Sequence, residues 1–192
     1  MQKKYTSLGL MSGTSGDGVD ASIIISNGID QYEVIKDKFF EYDSILFKDY
    51  HSLKEKIFNS SDLKKLSKEI SNLERKITLF HAKIVNELVH NGEDILIGFH
   101  GQTIYHNSKE KISRQLGDAR LLNQLTKKKI LFNFRKNDLL NGGEGAPLVP
   151  IFHQLISLKN KMDLPVCFLN IGGISNITIV KQFNNPKEIF SK

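Results

Sequence analysis

The fold of this chain is decided by residues 9–20, which read Gly-Leu-Met-Ser-Gly-Thr-Ser-Gly-Asp-Gly-Val-Asp. An apolar segment, residues 5–11, leads into the part of this stretch that is rich in glycine, serine and aspartate. The chain then returns through residues 20–26, which include the β-branched run Ile23-Ile24-Ile25. Two such segments around a glycine-rich turn predict a β-hairpin, because β-branched residues favour strands and glycine tolerates the backbone angles of tight turns.

A second hairpin of the same kind is predicted late in the chain. Strands over residues 166–171 and 174–180 flank Gly172-Gly173, as the first two strands flank the turn at residues 12–18. An early and a late copy of one hairpin suggest two similar domains that face a cleft. The hinge between them is expected near residues 135–145.

Helices and strands are predicted to alternate between the two hairpins. A third strand is expected within residues 31–42, and apolar residues at steps of three and four predict one long helix over residues 63–88. We interpret this helix as packing on a sheet, with a coiled-coil dimer as the alternative. The other predictions are strands over residues 95–99 and 130–134 and helices over residues 116–125 and 150–158. This order predicts an α/β fold.

The turn at residues 12–18 has the composition of an anion-binding loop. Its glycines allow close approach, so that successive backbone amides can converge on phosphate oxygens. Asp17 and Asp20 would repel a phosphate directly, but either could hold Mg²⁺ through water. The alternative is a hairpin whose glycines serve only the turn geometry. A P-loop is excluded because Val19-Asp20, not a lysine and a hydroxyl residue, follows the last glycine.

Two further polar clusters are candidate ligand sites. The loop over residues 135–150 follows a predicted buried strand, where α/β proteins place ligands. Its Arg135 could hold a carboxylate or phosphate, and Asp138 or Glu144 could accept sugar hydroxyls; an interdomain salt-bridge loop is the alternative. Gln102, Thr103 and His106 are interpreted as a second loop-borne cluster. Cys167 lies in an apolar strand and is expected to pack in the core.

Composition excludes several classes of protein. The chain has 192 residues, 40% of them hydrophobic and 25% charged, with a single cysteine and a net charge of +6. No run approaches the roughly 20 apolar residues of a membrane span, and one cysteine excludes an internal disulfide framework. The positive charge is carried mainly by lysine, whereas nucleic-acid readers favour arginine forks. We therefore expect a soluble cytoplasmic protein with small-molecule ligands and no nucleic-acid or membrane partner.

Six segments together resemble the anhydro-N-acetylmuramic acid kinases. The resemblance runs in matching order from Gly9 to about Val180, so we consider it specific. Besides residues 9–20, the segments are Gly-Phe-His-Gly-Gln-Thr-Ile-Tyr-His (98–106), Gln-Leu-Gly-Asp-Ala (115–119), Phe-Arg-Lys-Asn-Asp (134–138), Gly-Gly-Glu-Gly-Ala-Pro-Leu-Val-Pro (142–150) and Leu-Asn-Ile-Gly-Gly-Ile-Ser-Asn (169–176).

The resemblance implies an actin-like (ribonuclease H-like) fold and an ATP- and Mg²⁺-dependent reaction of cell-wall recycling. Water opens 1,6-anhydro-N-acetylmuramic acid at its anomeric carbon, and O6 takes the γ-phosphoryl group to give N-acetylmuramic acid 6-phosphate. The implied nucleotide-binding residues are Gly13, Thr14, Ser15, Gly16, Asp17, Gly18, Val19, Asp20, Gly172 and Gly173. The candidate sugar-binding residues are Gln102, Thr103, His106, Arg135, Asp138 and Glu144. Charge matching leads us to expect Arg135 or the region of His106 near the lactyl carboxylate.

This sequence departs from the family in two respects. Gly16 stands where relatives carry a larger apolar residue, which we expect to loosen the turn. The family also continues for about as much chain again, and its catalytic base is expected beyond Lys192, so no catalytic residue is assigned within the chain. We expect a complete first domain over residues 1–135 and the start of a second over residues 136–192.

Three functions are weighed on this basis. The leading one is the N-terminal half of the kinase, inactive alone and dependent on its missing C-terminal half or on a homo-oligomer. The second is a non-catalytic module that binds the sugar or the nucleotide. The third is a basic nucleic-acid binder, whose affinity would fall steeply with salt.

Overall fold

The computed structural model describes residues 3–90, 92–171, 175–181 and 189–191, the last three by their backbone alone. The second predicted phosphate turn, Gly172-Gly173, lies outside the described residues. The strands are β1 (Tyr5–Ser12), β2 (Gly18–Ser26), β3 (Tyr32–Glu41), β4 (Leu96–Asn107), β5 (Ile112–Leu116), β6 (Lys129–Phe132), β7 (Val166–Asn170), β8 (Asn176–Val180) and β9 (Ile189–Ser191). The helices are α1 (Ser44–Lys54), α2 (Ser60–Lys65), α3 (Ser67–Leu88), α4 (Ala119–Thr126), α5 (Phe134–Leu140) and α6 (Pro150–Lys159).

The larger sheet has six strands and mixed direction. Strands β3, β2 and β1 form an antiparallel meander, and β4 then runs parallel to β1. The first half of β4 also pairs in parallel with β6, and its second half pairs antiparallel with β5. The predicted α/β class is confirmed, and so is the first hairpin, in which β1 and β2 pair from Tyr5↔Ser26 to Met11↔Asp20.

The main core lies between this sheet and the helices that connect its strands. Alternate residues of β1 and β2, such as Leu8, Leu10 and Val19, are buried, as period-two side chains on one face of a sheet should be. The apolar stripe of α3, including Ile77 and Val85, covers them. Burying this stripe is what stabilises a helix of such mixed composition.

The helical prediction for residues 63–88 is partly wrong. The helix is interrupted at Leu66, whose backbone angles (φ −97°, ψ 19°) leave the helical region, so that α2 and α3 are separate. Helix α1 was not predicted at all. It begins after Asp43, whose carboxylate accepts from the amides of Ile45 and Leu46, a typical N-cap.

Strand β4 is longer than predicted, and this corrects the placement of one candidate cluster. Gln102, Thr103 and His106 belong to the strand, not to a loop after it. The sequence predicts that this strand ends at residue 99. In the structure Gly101 has φ +73° and lies at a register shift between β1 and β4, so it forms a β-bulge inside the strand.

The smaller sheet confirms the second hairpin. Strands β7 and β8 pair antiparallel from Val166↔Val180 to Asn170↔Asn176, and β9 adds to β8. Helix α6 packs against this sheet through His153, which stacks on Phe168 with ring centroids 4.4 Å apart. Cys167 is exposed on β7, so the prediction that it packs in the core is wrong, because the alternation of this strand turns its side chain outward.

The loop predicted over residues 135–150 is also partly helical. Helix α5 occupies Phe134–Leu140, and the irregular segment is confined to the residues that follow it. Within the part of the chain that the structure describes, no helix is both long and apolar enough to cross a bilayer.

Candidate phosphate and sugar site

The glycine-rich turn connects β1 to β2 at the end of the sheet where the parallel strands β1 and β4 finish. The amide of Gly16 donates to the carbonyl of Gly13 over 3.3 Å, and Gly16 has φ +66°, a conformation that glycine adopts without strain. The hydroxyl of Ser15 donates to Asp17 Oδ1 over 2.7 Å. The turn is therefore folded back on itself, with small and polar groups at its surface.

Buried polar side chains support the turn from below. The phenol of Tyr42 lies 3.3 Å from Ser12 Oγ and 3.1 Å from Gln102 Oε1, and Gln102 Nε2 donates to the carbonyl of Gly13 over 2.6 Å. Ser12 Oγ also lies 3.3 Å from Nε2 of His81. This set, which we call the support network, joins β1, β4, α3 and the residue that follows β3 to the first residue of the turn.

The support network is held in its neutral form. Burial lowers the pKa of His81 to about 4, and its Nδ1 lies 2.8 Å from the carbonyl of Ile77. Because a carbonyl only accepts, Nδ1 carries the proton, and Nε2 accepts from the hydroxyl of Ser12. Burial also raises the pKa of Tyr42 to about 12. Uncharged groups that satisfy one another can stay buried beneath the glycine-rich turn.

Helix α1 contributes two further contacts to the turn. The ring of Tyr50 packs against Gly16, and its hydroxyl donates to the carbonyl of Thr103 over 2.8 Å. The ammonium of Lys54 donates to the carbonyl of Thr14 over 2.7 Å. We expected Gly16, which is smaller than the residue of the relatives at this position, to loosen the turn. Instead, the ring of Tyr50 fills the space beside Gly16 and packs against the turn.

The two aspartates predicted to face a metal lie close enough to repel each other. The pKa of Asp20 is raised, first by partial burial and second by the negative charge of Asp17. A cation between or beside them would relieve this repulsion, so the two carboxylates fit a water-mediated Mg²⁺. Within the described ranges, no group of three or more His, Cys, Asp or Glu side chains could hold a metal by itself.

Arg135 is the centre of a group of polar side chains that includes His100, His106 and Glu144, which we call the Arg135 cluster. Its Nε donates to His100 Nε2 over 2.9 Å, and its Nη1 donates to the carbonyl of Gly145 over 2.7 Å. Burial, and then the charge of Arg135, lower the pKa of His100 to about 4, so His100 is a neutral acceptor. Burial also lowers the pKa of the Arg135 guanidinium. A half-buried cation oriented in this way could bind a carboxylate.

His106 lies in the electrostatic field of Arg135 and close to Glu144, although the sequence analysis placed His106 and Arg135 in two separate clusters. Burial and then the charge of Arg135 lower the pKa of His106, whereas the backbone and carboxylate of Glu144 oppose this effect. Asp138 has a different place: its Oδ2 accepts from the amide of Gly145 over 2.7 Å, so it shapes the loop. Thr103 lies beside them on β4, where its hydroxyl accepts from Gln115 Nε2 over 3.3 Å.

Strand β4 thus connects the predicted residues, but not in the predicted way. Its Gln102 bonds to the glycine-rich turn, and its His106 lies in the field of Arg135. Thr103 is linked to His106 through the side chains of Gln115 and Ser113. The sequence missed five residues that hold the site together, namely Tyr42, Tyr50, Lys54, His81 and His100. His100 precedes the bulge within a quoted segment, but nothing local marks the other four.

The fold and this arrangement define a mixed α/β protein with a candidate small-molecule site at one end of its larger sheet. The sequence profile described as anhydro-N-acetylmuramic acid kinase matches residues 5–189, and the chain belongs to this family.

Curated relatives give the same result. A protein of Pelagibacter ubique named anhydro-N-acetylmuramic acid kinase is 58% identical over 96% of this chain and 50% of its own length. Kinases of the same name from Agrobacterium fabrum and Gluconobacter oxydans are 35% and 40% identical, over 94% and 91% of this chain. The chain spans about half the length of these relatives, 50% and 48% for the last two.

Proposed function

We propose that this chain is the portion of an ATP-dependent kinase that binds the phosphates of ATP together with 1,6-anhydro-N-acetylmuramic acid. The observation that carries the proposal is the contact of Gln102 with Gly13, which joins the glycine-rich turn to the strand that carries His100 and His106 beside Arg135. A phosphate site and a carboxylate site joined by one strand suit a reaction between a nucleotide and an acidic sugar. Membership of the kinase family supports the same reading.

The reaction consumes the sugar, water and ATP and yields N-acetylmuramic acid 6-phosphate and ADP. Water adds to the anomeric carbon, the bond from that carbon to O6 breaks, and O6 takes the γ-phosphoryl group. In this proposal the turn over residues 13–20, with Gly172-Gly173, binds the phosphates. Arg135 and His106 face the lactyl carboxylate, while Gln102, Thr103, Asp138 and Glu144 line or shape the sugar side.

Mg²⁺ would be held by Asp17 or Asp20 through water. When bound, it would neutralise charge on the transferring phosphoryl group. Within the chain itself, the amides of the turn bind and orient the phosphates, and the support network below them excludes water from the buried side of the turn.

The strand order supports an actin-like, ribonuclease H-like fold. Three antiparallel strands, β3, β2 and β1, continue into the parallel strands β4 and β6, and a second hairpin follows in β7 and β8. We propose a first domain over residues 1–135 and the start of a second over residues 136–192. The proposed boundary falls near the start of α5, between the two sheets.

Catalysis requires parts of the family's sequence that this chain does not span. We propose that the base that activates water belongs to that other half of the family's sequence. Because a general base contributes about 10²–10⁴-fold, the chain alone should have negligible activity. ATP as the phosphoryl donor and a single exposed cysteine fit a cytoplasmic location.

A binding module without turnover is the second candidate, favoured by the same exposed turn. Calorimetry with Mg-ATP and with the anhydro sugar tests binding. A coupled assay of ADP release tests turnover, with the chain alone and with the separately produced second half of the Pelagibacter ubique kinase. ADP release only when both halves and the sugar are present supports the kinase. Binding without release in that mixture supports the module, and absence of both kinds of binding contradicts both.

A further inference from the structure

We propose that Tyr50 is a positioning residue of the phosphate turn: its ring takes the place of a side chain at position 16, and its hydroxyl ties the turn to β4. The functional part of this inference rests on the proposed function, because it assumes that the turn binds the phosphates of ATP. The geometric part stands on the contacts of Gly16, Tyr50 and Thr103 alone.

The ring of Tyr50 occupies the space that a side chain at position 16 would need. A Cβ built on Gly16 would lie 2.0 Å from Cε1 and 2.2 Å from Cδ1 of Tyr50, far inside van der Waals contact. Tyr50 is fully buried, so its ring has no open space to move into. Positions 16 and 50 therefore cannot both carry a side chain of ordinary size in this fold.

The hydroxyl of Tyr50 extends this contact to the sugar side. It donates to the carbonyl of Thr103 over 2.8 Å, on the stretch of β4 that follows the bulge. One rigid side chain thus spans from the apex of the turn to the strand that carries Gln102 and Thr103. Together with the bond from Gln102 to Gly13, this side chain holds the turn and the strand at a fixed distance.

The next turn of α1 reinforces the same arrangement. Lys54 lies four residues after Tyr50, and its ammonium stands 5.4 Å from the centroid of the Tyr50 ring. The same ammonium donates to the carbonyl of Thr14. With the Tyr50 ring in place, Lys54 brings a positive charge to the rim of the turn, where phosphates would bind.

The test uses two pairs of variants of the 192-residue chain. Tyr50→Phe keeps the ring and removes the hydroxyl, and with it the bond to Thr103 and the contact with the side chain of Gln102 on the same strand. We expect hydrogen exchange of residues 13–18 to become several-fold faster and Mg-ATP to bind about tenfold more weakly, as loss of one buried hydrogen bond implies. Tyr5→Phe, at an exposed tyrosine, is the matched control and should change neither quantity. If Tyr50→Phe leaves both unchanged, the link to β4 is wrong.

The second pair of variants tests whether the Tyr50 ring blocks a side chain at position 16. Gly16→Ala should lower the melting temperature much more when Tyr50 is present than in a Tyr50→Leu background, where the ring no longer blocks the added Cβ. Equal losses in the two backgrounds would overturn the inference that the ring replaces a side chain. If the unmodified chain does not bind Mg-ATP, the proposed function fails, while the exchange and melting data still decide the role of Tyr50.

Discussion

The side-chain amide of Gln102 donates to the main-chain carbonyl of Gly13 over 2.6 Å, although the two residues are 89 positions apart. Gln102 is fully buried, and it pairs in register with Ser12 across the parallel strands β1 and β4. A buried donor at this place fixes the first peptide of the glycine-rich turn. The position of the turn therefore depends on β4 as much as on its own glycines.

The first prediction concerns Gln102 itself. Gln102→Leu removes the donor to Gly13 and the acceptor for Tyr42, leaving both groups buried without these partners. We expect a loss of about 1–3 kcal/mol in the free energy of unfolding and at least tenfold weaker Mg-ATP binding. Urea denaturation and calorimetry measure the two effects. Gln31→Leu, at an exposed glutamine, is the control, and Mg-ATP affinity equal to that of the control would contradict the prediction.

The second prediction concerns acid stability. The pKa of His81 and that of His100 are both lowered from 6.5 to about 4 in the folded chain, chiefly by burial. Between pH of about 4 and 6.5, these two histidines bind protons in the unfolded chain but not in the folded chain. Stability is therefore fully present above pH of about 6.5 and falls as the pH drops toward about 4, by about 1.4 kcal/mol per pH unit for each histidine.

Variants separate these two histidines from the carboxylates that titrate in the same range. His81→Gln should reduce the slope of unfolding free energy against pH by about one proton between pH of about 6.5 and 4. His90→Gln, at an exposed histidine, should leave the slope as it is. A slope in His81→Gln that matches the unmodified chain would show that His81 is not protonated more readily on unfolding.

The hairpin that carries the turn is predictable from sequence because its signals are local. Ile23-Ile24-Ile25 favours a strand, and the glycines before it favour a turn, so β1 and β2 pair as expected. Helix α1 also has a local signal in the sequence. Leu46, Tyr50 and Leu53 are buried at steps of four and three, after the N-cap Asp43.

The support network could not be predicted from local sequence signals, because each of these contacts joins distant segments of the chain. Ser12 and His81 are 69 positions apart, and Tyr42 and Gln102 are 60 apart. The bulge at Gly101 could not be predicted either, for a physical reason. A glycine with positive φ is equally compatible with the end of a strand and with a bulge inside it, and only pairing with β1 distinguishes the two.

The third prediction concerns recognition of the sugar's carboxylate. Arg135→Ala removes the cation, whereas Arg135→Lys keeps a charge but loses the donors that hold His100 Nε2 and the Gly145 carbonyl together. We expect both variants to weaken binding of the anhydro sugar by at least tenfold, while Mg-ATP affinity changes little. Calorimetry with each ligand separates the effects. Unchanged affinity for the sugar in Arg135→Ala would remove Arg135 from the sugar site.

The fourth prediction tests whether the bulge at Gly101 places Gln102. Gly101→Ala puts a Cβ at a residue with φ +73°, at 2.4 Å from the carbonyl oxygen of Leu116, which belongs to the paired strand and cannot move freely. Gly28→Ala is a matched control, since Gly28 has φ +74° but no atom lies within 4 Å of the added Cβ. The control should lose about 1 kcal/mol of unfolding free energy, as left-handed backbone costs an alanine.

Gly101→Ala should lose at least twice as much as Gly28→Ala in urea denaturation, because the clash with Leu116 adds to the backbone strain. Relief of that clash requires β4 to shift where Gln102 follows, so Mg-ATP binding should weaken in Gly101→Ala alone. Equal stability losses would mean that β4 absorbs the Cβ without moving. A larger loss with unchanged Mg-ATP affinity would mean that the bulge stabilises the sheet but does not place Gln102 under the turn.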